Sequence, residues 1–432
     1  ESALECALRL SDDVTVVSMG PKSAENVLKP LTRLGAKSVL ITDTLFAGSD
    51  TLATSYILST AIKQMEYDLI LCGRQSIDGD TAQVGPMLSQ MLGIPLITNA
   101  FNVEYKDNKV FSDTRSGAEQ AVIPALVTVE RGYFLRLPSI FSKEGDVEII
   151  NNEKLNCDAS RCGLSGSPTR VLEAFENERG KRKCKFISME ELIPLVETLA
   201  KQNEYAEKSV YTGQKLKSVW SVGEEVYEKA KEISEEVILI EKSTPEEITK
   251  RALNEKPNVI LWNADLWGRK NAPIVAAMLK TGLCADCTML ETDGDNLIMY
   301  RPAQGGNITA KIKCVTTPQM ATVRTKAASS DIIVSGGKGV ADSMDKIYEL
   351  ANKLGAQVGA SRGLVDTGKA TYDMQIGLTG KTVSPKIYIA IGISGTIQHT
   401  CAIEGSTTVI AINPDKNARI FEYADYGIVY SL

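Results

Sequence analysis

Histidine occurs once in this 432-residue chain, as His399, and it closes the run most able to do chemistry. That region reads Gln375-Ile-Gly-Leu-Thr-Gly-Lys-Thr382, then Tyr388-Ile-Ala-Ile-Gly-Ile-Ser-Gly-Thr-Ile-Gln-His399. Ala411-Ile-Asn413 and Ala424-Asp-Tyr-Gly-Ile-Val429 follow. Three times an apolar strand ends in small and hydroxylic residues. Such strand ends suit a buried anionic cofactor. Glycines admit close approach, backbone N–H groups and hydroxyls donate, and an imidazole adds a placed ring donor. Ser335-Gly-Gly-Lys-Gly339 is a strand running into a glycine turn, whose N–H groups and Lys338 could hold a pyrophosphate. Gly359-Ala-Ser-Arg-Gly-Leu-Val-Asp366 sets Arg362 at another strand end, where a guanidinium attracts the negative charge of a reduced cofactor.

A second candidate lies nearer the N-terminus. Cys72-Gly-Arg-Gln-Ser-Ile-Asp-Gly-Asp-Thr-Ala-Gln-Val-Gly-Pro86 follows a strand and enters a helix. Ligands of doubly wound sheets bind beyond the carboxyl ends of strands, and a helix N-terminus there can meet a phosphate. Asp78 and Asp80 oppose a phosphate unless backbone donors dominate, and the same residues also read as a capped helix start. Elsewhere the sequence offers no catalytic machine. It has no Gly-x-Ser-x-Gly elbow, no Walker loop and no carboxylates at metal spacing, so the chemistry belongs to a cofactor. Cys284-Ala-Asp-Cys287 has redox or half-zinc-site spacing but no second pair nearby. It reads as core packing, as do Cys157 and Cys162.

These residues need elements to hold them. Val14–Ser18, Ser38–Thr42 and Asp68–Cys72 read as short strands, with helical stretches at 22–34 and 51–66 between them. Val237–Glu241 and Asn258–Trp262 repeat the pattern. The strand-loop-helix-Gly succession of 68–95 recurs about 190 residues later, as a duplicated domain pair would. A third unit starts near 326, with a helix at 341–354. The fold class is therefore α/β, with doubly wound parallel sheets, two related nucleotide-binding-like domains and a C-terminal cofactor domain. The length predicts two or three domains. A net charge of −6 with 24% charged residues argues against a nucleic-acid surface. No run nears the roughly 18 apolar residues of a membrane span, and nine scattered cysteines fit a reducing cytoplasm.

Taken together the motifs resemble electron transfer flavoprotein. Val14-Thr-Val-Val-Ser-Met-Gly-Pro21, the Cys72–Pro86 loop, Leu137-Pro-Ser-Ile140 and Gly163-Leu-Ser-Gly-Ser-Pro-Thr-Arg-Val171 resemble its beta subunit. Gly268-Arg-Lys-Asn-Ala-Pro273, Gly282-Leu-Cys-Ala-Asp-Cys-Thr288, Arg301-Pro-Ala-Gln-Gly-Gly-Asn307 and the C-terminal run resemble the alpha subunit. The resemblance implies a beta–alpha fusion. Its domains would be a beta-like domain over 1–205, an alpha N-terminal domain over 206–310 and an FAD-binding domain over 311–432.

It also implies a redox FAD held by Lys338, Ser361, Arg362, Gly377, Leu378, Thr379, Ser394, Gly395, Gln398, His399, Asn413 and Asp425. Arg362 and His399 would tune the flavin, His399 through its pyrimidine-side oxygen. A second nucleotide, AMP or another FAD, would lie against Met19, Gln75, Asp78, Gly79, Asp80, Thr81, Gln83 and Val84. The Asp78–Pro86 form resembles electron-bifurcating members, which carry the second FAD. Leu137 would anchor a partner, such as an acyl-CoA or other flavin dehydrogenase of fatty acid beta-oxidation. NADH and a ferredoxin or flavodoxin are the further exchange partners. Gly305-Gly306 and the stretch near 200–225 would be hinges. Lys338 replaces the family's usual Arg and Leu378 its usual Gln. The family's first beta strand is not found before Glu1. The first unit alone also permits a non-redox adenine-nucleotide-binding module.

Overall fold

A computed structural model describes residues 1–76, 78–176, 182–201, 215–304, 308–325, 331–383, 385–403 and 406–431. It has two compact units. The first is Glu1–Glu173 with Gly213–Arg301 and Ala310–Val323; the second is Ala174–Thr212 with Pro302–Thr309 and Arg324–Leu432. The expected boundary at 311 is therefore displaced. Gln319–Val323 pairs with two strands of the first unit, so it belongs there. Gly305 and Gly306 and residues 202–214 of the expected hinges lie outside the described residues.

In the first unit, β1 (Thr15–Met19) and β2 (Lys37–Ile41) pair in parallel. The stretch between them is not the single helix that 22–34 suggested. It is a 3-10 turn, one α turn and a second 3-10 turn, with Pro30 near the start of the last. Proline has no N–H to give and its ring clashes with the preceding turn, so a continuous helix cannot cross it.

The duplicated units are visible in detail. β3 (Leu69–Gly73) leads through α1 (Val84–Leu92) to β4 (Leu96–Ala100), and β5 (Ala125–Val129) inserts between the two strands. After β6 (Val147–Ile150), the second copy has its own sheet of β7 (Val219–Val222), β8 (Val237–Ile240), β9 (Val259–Asn263), β10 (Leu283–Cys287) and β11 (Gln319–Val323). There β9 leads through α2 (Leu266–Leu279) to β10, and β11 inserts between them. A cis X-Pro peptide precedes each inserted strand. Even the irregularities correspond. β4 and β10 both slip register, at Asn99 (φ 59°) and Asp286 (φ 58°). Each slipped residue gives its N–H to a threonine hydroxyl of the inserted strand, Thr128 at 3.0 Å and Thr322 at 2.8 Å. The copies pack together through α1 and α2. Buried Gln83 joins them, donating to the Leu283 carbonyl at 3.0 Å while accepting from Thr51 Oγ1 at 2.7 Å.

The second unit is one parallel seven-stranded sheet. From one edge its order is Lys185–Phe186, Tyr426–Val429, Thr408–Asn413, Ile387–Ile391, Ile332–Gly336, Gln357–Ser361 and Gln375–Ile376. In chain order the last six are β12 (Ile332–Gly336), β13 (Gln357–Ser361), β14 (Gln375–Ile376), β15 (Ile387–Ile391), β16 (Thr408–Asn413) and β17 (Tyr426–Val429). From β12 the chain winds outward to β13 and β14, then returns to the other side of β12 as β15. That reversal is a topological switch point, where open parallel sheets bind ligands at their carboxyl ends. The central strands are buried almost throughout because both faces are covered. Val334, Ile389 and Ile410 pack on one face, and Ile333, Tyr388 and Val409 on the other.

Candidate functional site

The carboxyl ends of β12 to β16 collect most of the expected cofactor residues. Lys338 follows β12 and is exposed. An added Cβ at Gly363 would stand 3.5 Å from Lys338 Cβ, so the β12 and β13 ends meet. Ser361 caps the short helix Arg362–Val365, accepting from the Leu364 N–H at 3.4 Å. Arg362 pairs with Asp366, Nε to Oδ2 at 3.4 Å, and remains partly exposed. Gly377, Leu378, Gln398 and His399 come together. The Leu378 N–H donates to the Gln398 carbonyl at 2.6 Å. A side chain on Gly377, at φ 150°, would stand 3.1 Å from that oxygen. Thr379 Oγ1 accepts from Gln375 Nε2 at 2.7 Å. Ser394, on the loop after β15, and Gln398, in the short helix Ile397–Thr400 that follows, are exposed. Gly395 is positioned by packing: at φ 83°, an added Cβ would lie 2.2 Å from the Ile420 nitrogen.

Three expectations need correction. The glycine turn after β12 does not offer all its N–H groups. Gly337 donates to the Ile391 carbonyl at 2.8 Å and Gly339 to the Gly392 carbonyl at 3.3 Å. Its glycines serve loop packing, since a Cβ on Gly337 would stand 2.1 Å from the Gly392 oxygen. The Asn413 amide is also engaged, donating to the Ile393 carbonyl at 3.0 Å and accepting from the Asp415 N–H at 2.9 Å. Asp425 precedes β17 and so lies at the amino end of the sheet. There it pairs with Arg182 and accepts from the Val409 N–H at 2.8 Å. The residue reaching the correct end of that strand is Tyr430, whose N–H donates to the Asn413 carbonyl at 3.3 Å. The Ala-Asp-Tyr-Gly run gave no clue to which end its aspartate occupies.

His399 is the chemical centre of this edge. It is 4% exposed, its Nε2 lies 2.8 Å from the hydroxyl of fully buried Tyr388, and its Nδ1 is buried without a well-formed hydrogen bond. Burial pulls its pKa down to about 4, only partly offset by the backbone of Ile376. The ring is therefore neutral near pH 7, and its Nδ1 has no well-formed hydrogen bond among the described residues. A buried polar atom left in this condition fits a bound group with a polar edge.

In the first unit, the expected second-nucleotide loop is tightly laced. Gln75 Nε2 donates to Asp80 at 2.9 Å, and the Ser76 hydroxyl holds the Asp78 carboxyl below the usual range. Gly79 accepts at 2.5 Å from Arg301 Nη1. Asp80 and Ala82 take positive φ, 51° and 54°, an unfavourable backbone for residues other than glycine. Thr81 is partly buried between them, Val84 begins α1, and Met19 ends β1. Ile77 lies outside the described residues. Gln83 is not free for a ligand, because its amide joins the two copies.

Sequence reasoning gave Arg301 no role, yet it is 4% exposed and its buried Nη2 has no hydrogen-bond partner among the described residues. Next to this loop, at the carboxyl ends of β3, β5 and β4, is a small cavity whose lining includes Arg74, Arg115, Arg269 and Lys270. Arg74 and Arg115 share Glu130, Arg269 grips Asp286 at 2.9 and 3.0 Å, and Lys270 pairs with Glu119 at 2.9 Å. Each of the four cations is thus paired with a carboxylate. Arg269 stands in the first turn of α2, where the helix dipole disfavours positive charge, and Lys270 follows it. No cluster of potential metal ligands occurs among the described residues, and no described helix is long and apolar enough to cross a membrane. All nine cysteines are free, and burial raises the Cys287 thiol well above its ordinary range.

Comparison with known proteins agrees with this geometry. Residues 1–155 and 223–346 match the electron transfer flavoprotein domain. The chain belongs to the electron transfer flavoprotein family. Residues 326–404, which hold most of the β12–β15 edge, match the family's FAD-binding domain. The electron transfer flavoprotein subunit alpha of Thermoanaerobacterium thermosaccharolyticum is 44% identical over 232 residues, covering 43% of this chain and 70% of that protein. Protein FixB of Azorhizobium caulinodans is 39% identical over 222 residues, 40% of this chain and 60% of its own. The subunit alpha of Megasphaera elsdenii is 41% identical over 225 residues, 40% of this chain and 67% of its own. The aligned portions thus span 60% to 70% of these relatives' lengths.

Proposed function

We propose that this chain is a flavin electron carrier that holds FAD at the carboxyl edge of the second unit's sheet. The observation that carries the reading is buried His399, with an unpartnered ring nitrogen beside a topological switch point, inside the segment matching the FAD-binding domain. Bound FAD would supply the one-electron chemistry, which no side chain here can perform. The protein's contribution is placement and charge. Lys338 and Arg362 bring positive charge, and Ser361 and Thr379 bring hydroxyls to the strand ends. His399 presents a buried nitrogen that costs nothing to reorganise. Asp425 has no part in this set, because it sits at the opposite end of the sheet.

We further propose that the duplicated first unit makes the chain a beta–alpha fusion. Two segments matching one domain, and the corresponding bulges at Asn99 and Asp286, support this. A second nucleotide would lie against the Gln75–Val84 loop. The basic side chains in the lining of the neighbouring cavity, and the buried Arg301 Nη2 without a hydrogen-bond partner among the described residues, favour an anionic occupant. A second FAD suits the bifurcating reading and AMP the simple carrier. A flavin dehydrogenase of the acyl-CoA type, or NADH, would donate electrons. The test is anaerobic dithionite titration of FAD-loaded chain. The expected result is two separable one-electron steps, with His399→Ala weakening the anionic one-electron form. A single two-electron step in both proteins would refute the carrier reading.

A further inference from the structure

We propose that Tyr388 is a positioning residue: its hydroxyl donates to His399 Nε2 and holds the imidazole as the tautomer with its proton on Nδ1. This rests on the FAD reading only for its purpose, not for its geometry. A neutral imidazole carries one N–H, and the partner of one nitrogen decides which nitrogen bears it. The two groups are 2.8 Å apart, with ring centroids 6.0 Å apart and planes tilted by 51°. Tyr388 is fully buried in the middle of β15, so its proton needs an acceptor inside the protein. Nε2 is within reach and carries a lone pair only if the ring proton is on Nδ1.

One neighbour favours the same direction. The Ile376 backbone, acting on the ring through a carbonyl that only accepts, favours an N–H on the ring. Burial also keeps the phenol protonated, pushing its pKa far above the ordinary value. The unpartnered atom of the site then becomes a donor, Nδ1–H. With the other tautomer it would be a lone pair, which repels the negative charge a reduced flavin carries.

The single histidine makes the test direct, because labelling histidine with 15N yields one pair of ring nitrogens. At pH 7 the intact chain should show a pyrrole-type Nδ1 and a pyridine-type Nε2, before and after loading with FAD. Tyr388→Phe should shift the ring towards the Nε2–H tautomer and, in the loaded protein, lower the yield of one-electron-reduced flavin without lowering FAD content. An Nε2–H tautomer in the unmodified chain would overturn the assignment, and this result needs no variant to fold. An unchanged tautomer in Tyr388→Phe would overturn it as well. If the chain took up no FAD yet showed the Nδ1–H ring, the FAD reading would fail and the Tyr388 assignment would stand.

Discussion

Acidifying the protein from pH 6.5 to pH 4 should destabilise its second unit by about 3 kcal/mol through one residue, His399. The folded ring has a pKa of about 4, below its ordinary 6.5, because burial opposes its charge. Above pH 6.5 the ring is neutral folded and unfolded, so it has no effect on stability. Between the two values only the unfolded chain takes up the proton, and stability falls as pH falls. Below pH 4 both states are protonated and the loss levels off. His399→Gln keeps a hydrogen-bond partner for Tyr388 but cannot titrate, so it should remove this part of the acid sensitivity. Urea unfolding followed by hydrogen exchange at amides of β15 and β16, at pH 7, 5.5 and 4, measures it. Equal pH slopes in both proteins would show that the ring is not held neutral in the fold.

The second large effect concerns a loop on the first unit. Phe134, Leu137, Ile140 and Phe141 are each more than 85% exposed within a dozen residues. Neighbouring apolar side chains presented this way suit a docking surface. The base of the loop is tied by Glu5, whose carboxylate accepts from Arg136 three times, at 3.0 to 3.1 Å, and from Arg9 Nε at 2.9 Å. Arg136 and Arg9 hold its pKa to about 2, so it stays ionised at any working pH. Glu5→Ala should free the Arg136 amide to exchange and should raise the KM for a reducing dehydrogenase about tenfold, roughly 1.4 kcal/mol. FAD held by the second unit should not change, since the substitution lies in the first. Leu137→Ala should affect the same kinetic constant without loosening the amide. Unaltered kinetics and exchange in Glu5→Ala would remove the loop from the account.

The strands and the duplication were legible because both are carried by local signals. Short apolar runs between glycine-containing loops fix the parallel sheets, and the run at 68–95 matches the run at 258–283 in order and spacing. Pro30 was the visible reason why 22–34 could not be one helix. The carboxyl-end cluster was legible for similar reasons, since Gly377, Ser394 and His399 follow their strands directly. Side-chain partners across the fold were not. In sequence Tyr388 is only part of a strand run, Arg301 only part of a motif, and Glu5 carries no signal. Each acquires meaning only from its partner in the fold: His399, eleven residues on from Tyr388, and Gly79 or Arg136, far away in sequence. Asp425 failed for the converse reason. A motif shows which strand a residue flanks but not which end of the sheet it reaches.

The most direct test of the central claim is the FAD retained per chain. The protein would be loaded with FAD, freed of unbound flavin, denatured, and its released FAD and AMP quantified. The account predicts at least one FAD per chain, with the retained amount falling in Lys338 and Ser361 variants. A second equivalent would assign the first unit's site to FAD, and AMP in its place would assign it to the simple carrier. No retained FAD would contradict the electron-carrier reading outright.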